Sequence, residues 1–133
     1  MKTIKVTEDK MQQALIAWAK LHPVCSKYLF HIPNGGKKEI KVNVDRYGRV
    51  NKYCPSGVKL AAMGVKPGIP DLLLAYPCNG FHGLFIELKV GKNKNRPDQE
   101  SVQHDLTIVD YAVAVVYDDW TKAKEQIERY LGG

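Results

Sequence analysis

The stretch from Gly68 to Val90, GIPDLLLAYPCNGFHGLFIELKV, constrains this chain more than any other. It reads as two apolar strands joined by a loop. Yet Asp71 opens the first strand, and Glu87 and Lys89 interrupt the second, where a hydrophobic core would carry valine or leucine. Side chains alternate along a strand, so Leu84, Ile86, Leu88 and Val90 share the core face while Phe85, Glu87 and Lys89 share the other. Glu87 and Lys89 then stand about 7 Å apart at the base, close enough for both head groups to reach one bound atom. The pattern predicts a strand buried on its apolar face and wet at one end of the other. Pairing across PCNGFHG would bring Asp71 opposite Glu87. Two carboxylates brought together repel unless a cation joins them, and one or two carboxylates, with waters and phosphate, are the usual ligands of Mg²⁺. Such an ion polarises a phosphodiester and lowers the pKa of a bound water. A nearby lysine orients that water or offsets charge in the transition state. Taken alone, E-x-K reads as an ion pair on an exposed strand. Its combination with Pro70-Asp71 on the preceding strand favours a site. Side chains scattered, pointing apart or sealed from solvent would count against one.

The rest of the chain supplies a frame. Thr7 reads as the cap of a helix running to about His22, because Met11, Ala14, Leu15 and Trp18 share one face and Pro23 stops it. Lys27 to Ile32 has strand composition and ends at the turn Pro33 to Gly36. EIKVNV and RVNKY flank Asp45-Arg46-Tyr47-Gly48 as a hairpin, with Gly48 at the left-handed turn position. Val58 to Met63 reads as one or two helical turns, Asp71 to Tyr76 and Leu84 to Val90 as strands. Pro97 opens a helix with the stripe Val102, Leu106 and Val109. Tyr111 to Tyr117 is a continuous apolar run, hence a buried central strand. A final helix starts near Asp119, with Trp120, Ala123, Ile127, Tyr130 and Leu131 on one side. This order predicts an α/β sandwich, a mixed central sheet flanked by helices, in one domain spanning residues 1–133. No glycine-rich loop follows a first strand, which excludes a doubly wound nucleotide fold.

Composition narrows the partner. The net charge of +6 and the pI near 9.2 favour an anionic one, with nucleic acid first. MKTIKVTEDKMQQ lacks the apolar core of a signal peptide and no apolar run is long enough to cross a bilayer, so the expectation is a soluble, cytoplasmic protein with no membrane partner. Cys25, Cys54 and Cys78 form no C-x-x-C pair and read as reduced packing thiols, with a zinc site built from scattered Cys and His as the alternative.

Pro70-Asp71 followed by Glu87-Leu88-Lys89 resembles the PD-(D/E)xK nuclease superfamily. More narrowly, IPNGG, MGVKPGIPDLLL, GLFIELK and the later Gln103, in that order, resemble the VRR-NUC family of virus-type replication-repair nucleases. The resemblance runs from the first helix to the last. It implies a restriction-endonuclease-like core, dependence on Mg²⁺ or Mn²⁺, and hydrolysis of DNA phosphodiesters. It further implies a homodimer that acts on branched DNA such as four-way (Holliday) junctions in DNA repair, inside a bacterial or virus-infected cell. By the same resemblance Asp71, Glu87 and the backbone carbonyl of Leu88 are metal ligands, and Lys89 positions the attacking water. Glu8 is the helix glutamate near the metal, and Gln103 holds Lys89 or a water. Glu8 also reads as a first-turn acid that favours the helix dipole, Gln103 as an exposed glutamine, and Asn34 as a plain turn former. The chain departs from the family where a glycine is common before the next strand and Asp110-Tyr111 stand instead.

The hairpin region carries Lys37, Lys38, Lys41, Arg46, Arg49 and Lys52 against Glu39 and Asp45. It reads as a track for phosphates, with Tyr47 at the tip able to stack on an unpaired base, or else as a solvated edge that its lysines protect from aggregation. Two function classes follow. One is a metal-dependent DNA endonuclease selective for branched structures. The other is a non-catalytic nucleic-acid-binding module on the same fold, which has no reason to hold two acids against phosphate.

Overall fold

The computed structural model describes residues 5–33, 41–53 and 55–132. Two compact units appear in it, residues 33–67 forming one and the segments on either side of them the other. In the larger unit, helix α1 spans Glu8–Ala19, and the Thr7 side chain accepts from the Lys10 amide at 3.2 Å. Met11, Leu15 and Ala19 are its buried stripe. The helix ends before the expected His22, because Leu21 and His22 bond back to Trp18 and Ala19, tightening the last turn.

Lys27 and Tyr28, expected in a strand, belong instead to a one-turn helix α2, Cys25–Tyr28. The cause is His22, whose Nδ1 accepts from the amides of Val24 and Cys25 at 3.1 and 3.2 Å and holds the chain in a turn. Strand β1 is therefore only Leu29–His31.

In the smaller unit, β2 (Lys41–Val44) and β3 (Val50–Tyr53) pair as the expected antiparallel hairpin, followed by helix α3 (Pro55–Ala62), longer than the expected turns. Asp45 Oδ1 takes the amides of Tyr47 and Arg49 at 2.8 and 2.9 Å, and Gly48 supplies the positive φ that closes the turn.

Back in the larger unit follow β4 (Leu72–Leu74), β5 (Leu84–Lys89), α4 (Pro97–Ile108), β6 (Ala112–Tyr117) and α5 (Trp120–Gly132). The sheet order is β1-β4-β5-β6, antiparallel up to β5 and parallel between β5 and β6. This is the mixed sheet flanked by helices that the sequence predicts. The apolar run Tyr111 to Tyr117, expected to be a buried central strand, forms β6 (Ala112–Tyr117) as an outer strand of this sheet instead, and only Val116 in it is buried. A strand sandwiched between helices needs apolar residues on both faces even at a sheet edge. Leu72, Leu74, Leu84, Ile86 and Leu88 form one core with Met11 and Leu15 of α1 and Ala123 and Ile127 of α5. Cys25 lies in that core, its thiol pushed up to about 11 by burial, as a packing residue would be.

Of the stripe expected on α4, Val102 and Leu106 are half-buried and Val109 is exposed, and the fully buried residue of this helix is Gln99. Gly68 brings the approach to β4 against the start of α4. A Cβ there would lie 2.6 Å from the Asp98 carbonyl oxygen, and φ is +89°. Asp110 takes the left-handed conformation, φ 66°, that a glycine adopts more easily at this bend.

Candidate active site

The register places the acids. Leu72 pairs with Ile86 and Leu73 with Phe85, so Asp71, one residue before β4, arrives beside Glu87. Asp71 Oδ2 accepts from the Leu88 amide at 2.8 Å, extending the ladder with a side chain. The Asp71 carbonyl accepts from the Ile32 amide at 2.8 Å and lies 2.9 Å from His31 Nδ1. Asp71 is thereby fixed from β1 on one side and β5 on the other.

Glu87 and Lys89 are only 4% and 5% exposed, so the second face of β5 is not wet as its sequence predicts, and of the three groups only Asp71 keeps the access to solvent that the sequence reading asks of a site. Gln99 covers it. Its Oε1 accepts from Lys89 Nζ at 2.8 Å and from the Arg96 amide at 2.9 Å, while its Nε2 donates to Glu87 Oε1 at 3.2 Å. Lys89 Nζ stands 3.8 Å from the same Glu87 oxygen. Asp71 and Glu8, by contrast, are half-buried.

Glu87 Oε2 is buried with no hydrogen-bond partner among the described residues. The Glu87 carboxyl is pushed up to about 7. Burial is the largest cause and the Asp71 carboxylate the next; Lys89 pulls the other way, Glu8 adds a smaller push, and a hydrogen bond between the Glu87 and Asp71 carboxyls adds the last. An unsatisfied buried carboxylate oxygen, raised by a neighbouring carboxylate, is the donor set that a hard divalent cation fits. Asp71, Glu87 and the Leu88 carbonyl are the groups available to hold it. Among the described residues, no group of three or more His, Cys, Asp and Glu side chains is placed to hold a metal ion. Glu8 therefore lends charge without completing a three-acid cage with Asp71 and Glu87, and the alternative of a zinc cluster finds no support among those residues.

Gln103, expected at Lys89, pairs with Asn95 through two amide bonds of 3.0 and 3.3 Å. The glutamine at Lys89 is Gln99, one helical turn earlier, which sequence reasoning missed. The available signal was positional: Pro97 opens the helix, and the third helical residue is where a glutamine reaches back to cap the chain.

The expected phosphate track lies in the other unit. Lys37, Lys38 and Asn34 fall outside the described residues, and Lys41 is described only as part of β2. Arg46, Tyr47, Arg49 and Lys52 are exposed, with the Arg49 guanidinium 5.5 Å from the Tyr47 ring centre and 3.8 Å from Asp45. Val42, Val44 and Val50 are exposed beside them, so the hairpin is amphipathic as well as basic.

Fold and site together define an α/β protein whose mixed sheet gathers two acids, a lysine and a glutamine where β4 and β5 meet α4. A solved structure described as a VRR_NUC domain protein has the same fold, with a TM-score of 0.74 over 98% of this chain and 92% of that one, at 24% identity. No protein-family model matches the sequence, and no curated protein matches it. Among the described residues, no helix is long and apolar enough to cross a membrane.

Proposed function

We propose that this chain is a nuclease of the VRR-NUC type within the PD-(D/E)xK superfamily, a Mg²⁺- or Mn²⁺-dependent endonuclease hydrolysing DNA phosphodiesters. The observation that carries the proposal is Glu87: a buried carboxylate held against Asp71, with one oxygen left unsatisfied and a lysine on the other. A fold maintained for binding alone gains nothing from that arrangement, which is costly without a cation and repels phosphate. The fold shared with a VRR_NUC domain protein supports the same reading.

Asp71, Glu87 and the Leu88 carbonyl would hold the cation, which when bound supplies positive charge against the scissile phosphate and acidifies water. The chain's own residues do the rest. Gln99 Oε1 fixes the Lys89 ammonium through a 2.8 Å bond, so that its remaining protons are directed rather than free to rotate. Lys89 then orients the attacking water and offsets charge that grows on the phosphate oxygens. Asp71, bonded to the Leu88 amide, keeps the ligand edge of β5 in register. Half-buried Asp71 and Glu8 leave an entrance for the phosphodiester, while α4 closes the rear and excludes bulk water.

The preferred substrate we propose is branched DNA, four-way junctions included. A two-fold pair of chains inside the cell would set one site on each of two opposing strands, with the hairpin residues Lys37, Lys38, Lys41, Arg46, Tyr47, Arg49 and Lys52 on the flanking backbone. The test is cleavage of labelled duplex, flap, single-stranded and four-way DNA with Mg²⁺, against a chelator control and Asp71→Asn. Asparagine retains an acceptor for the Leu88 amide, so a loss of activity reports the charge and not a broken strand. Cleavage should vanish in both controls. Activity surviving both would dismiss the site, and no cleavage of any DNA would favour the binding module.

A further inference from the structure

A cleft of about 300 Å³ opens between the starts of α1 and α5, lined among others by Lys5, Val6, Lys10, Asp118, Asp119 and Trp120. It adjoins the candidate site through the backbone. The Asp118 amide donates to the Lys89 carbonyl at 2.9 Å, and Asp118 Oδ1 accepts from the Gly91 amide at 2.7 Å. Lys5 and Lys10 flank Glu8, whose charge reaches Glu87.

We infer that this cleft holds one unpaired nucleotide of the substrate strand, with an amine-bearing base, next to the phosphate being cut; the inference rests on the nuclease reading. Its chemistry has three parts. Trp120, half-buried against the core, and Val6, 44% exposed, line the cleft as its apolar wall, against which an aromatic base can lie. Neither Lys5 nor Lys10 is ion-paired among the described residues, which leaves two cations for phosphate. The carboxylates each use Oδ1 on the fold itself, Asp118 on the Gly91 amide and Asp119 on the amide and hydroxyl of Thr121. The second oxygen of each is an acceptor for an exocyclic amine.

Two acids beside two lysines disfavour a purely anionic ligand such as an acidic peptide. A nucleotide joins an anionic phosphate to a base bearing donors and answers both. A paired base is stacked inside its duplex and offers Trp120 no face, so the nucleotide must be unpaired. The volume lies at the lower end of small-ligand pockets, which suits one nucleotide rather than several.

The chain has two tryptophans, so Trp18→Phe leaves Trp120 as the sole tryptophan, and its emission is read by excitation beyond the tyrosine absorption band. In chelator, a short oligodeoxyadenylate or oligodeoxycytidylate should quench that emission saturably. Oligodeoxythymidylate, without an exocyclic amine, should bind there several-fold more weakly, and a duplex should quench little. Lys5→Ala with Lys10→Ala should weaken the quenching and lower its salt slope by about two. Total binding is followed in parallel by anisotropy of labelled DNA. Binding without change at Trp120, or equal quenching by all three oligonucleotides, overturns the cleft assignment and leaves the nuclease reading standing. No binding by any DNA removes both. Should Trp18→Phe fail to fold, an oligonucleotide carrying 5-iododeoxycytidine, photo-cross-linked to the unaltered chain, should mark the peptide containing Trp120. Cross-links confined to other peptides overturn the inference.

Discussion

Glu87→Gln replaces the buried carboxyl with a neutral group of nearly the same shape, and the result is calculable. In the folded chain Glu87 titrates near 7 against an ordinary 4.5, with burial the largest cause and Asp71 the next. A carboxyl raised by folding binds its proton more tightly folded than unfolded. Its contribution to stability is therefore full below about pH 4.5, declines as pH rises, and is lost above about pH 7. At about 1.4 kcal/mol per pH unit, the whole decline in the metal-free protein is of order 3 kcal/mol. Glutamine carries no such term. In chelator at about pH 8 the variant should be more stable than the parent by about 1–3 kcal/mol, the lower figure allowing for a Lys89 with less counter-charge. The assay is urea unfolding of both proteins at steps from about pH 5 to about pH 8, read as the difference between the two profiles so that other titrating groups cancel. Saturating Mg²⁺ should raise the parent by about 2.7 kcal/mol at a hundredfold excess over Kd and leave the variant unchanged. A difference profile flat across this range, or a variant less stable than the parent at pH 8, would refute the claim that Glu87 carries an uncompensated buried charge.

Gln99→Ala removes the shared partner of Lys89 and Glu87 and should slow single-turnover cleavage about 10–100-fold, whereas Gln103→Ala should change it by no more than about twofold. The reverse ranking would restore Gln103 to the site. Arg46→Ala with Arg49→Ala should weaken DNA binding and lower the salt slope by about two, measured by anisotropy at several salt concentrations; an unchanged slope would show that the hairpin does not track phosphate. Because proton and cation compete for Glu87, the apparent affinity for Mg²⁺ should fall about tenfold per pH unit below about pH 7, and calorimetry showing no such dependence would place the cation elsewhere.

What was legible in the sequence follows from how local each cause is. Alternation placed Leu84, Ile86 and Leu88 in the core and Glu87 and Lys89 together on the other face, because a period of two residues needs no tertiary information. The Thr7 cap, the Asp45 to Gly48 turn and the start of α4 at Pro97 are likewise decided by neighbours in the chain. The failures needed facts that periodicity does not carry. Tyr28 looked like a strand residue until His22 bound the amides of the turn, and Ala112–Tyr117 looked central because a run flanked by helices is apolar wherever it lies in the sheet. That the second face of β5 is covered was invisible for a related reason: the residue covering it, Gln99, is polar and was not part of the apolar stripe read on that helix.

The polar cover is also what makes the arrangement coherent. An apolar residue at position 99 would shut the face of β5 just as well, but would leave the Lys89 ammonium and Glu87 Oε1 buried with only each other, 3.8 Å apart. A pair so placed is poorly compensated for its desolvation. Gln99 has one acceptor and two donors, and it spends the acceptor on Lys89 and on Arg96, a donor on Glu87 Oε1, and nothing on Glu87 Oε2. One glutamine thus caps its helix, fixes the lysine and satisfies one carboxylate oxygen, while the second oxygen stays unsatisfied beside Asp71. A helix selected for stability alone would have no use for that omission. In the metal-free chain a proton shared with the Asp71 carboxylate is what offsets the desolvation of that oxygen, and a divalent cation shared with Asp71 is the ligand that would replace that proton.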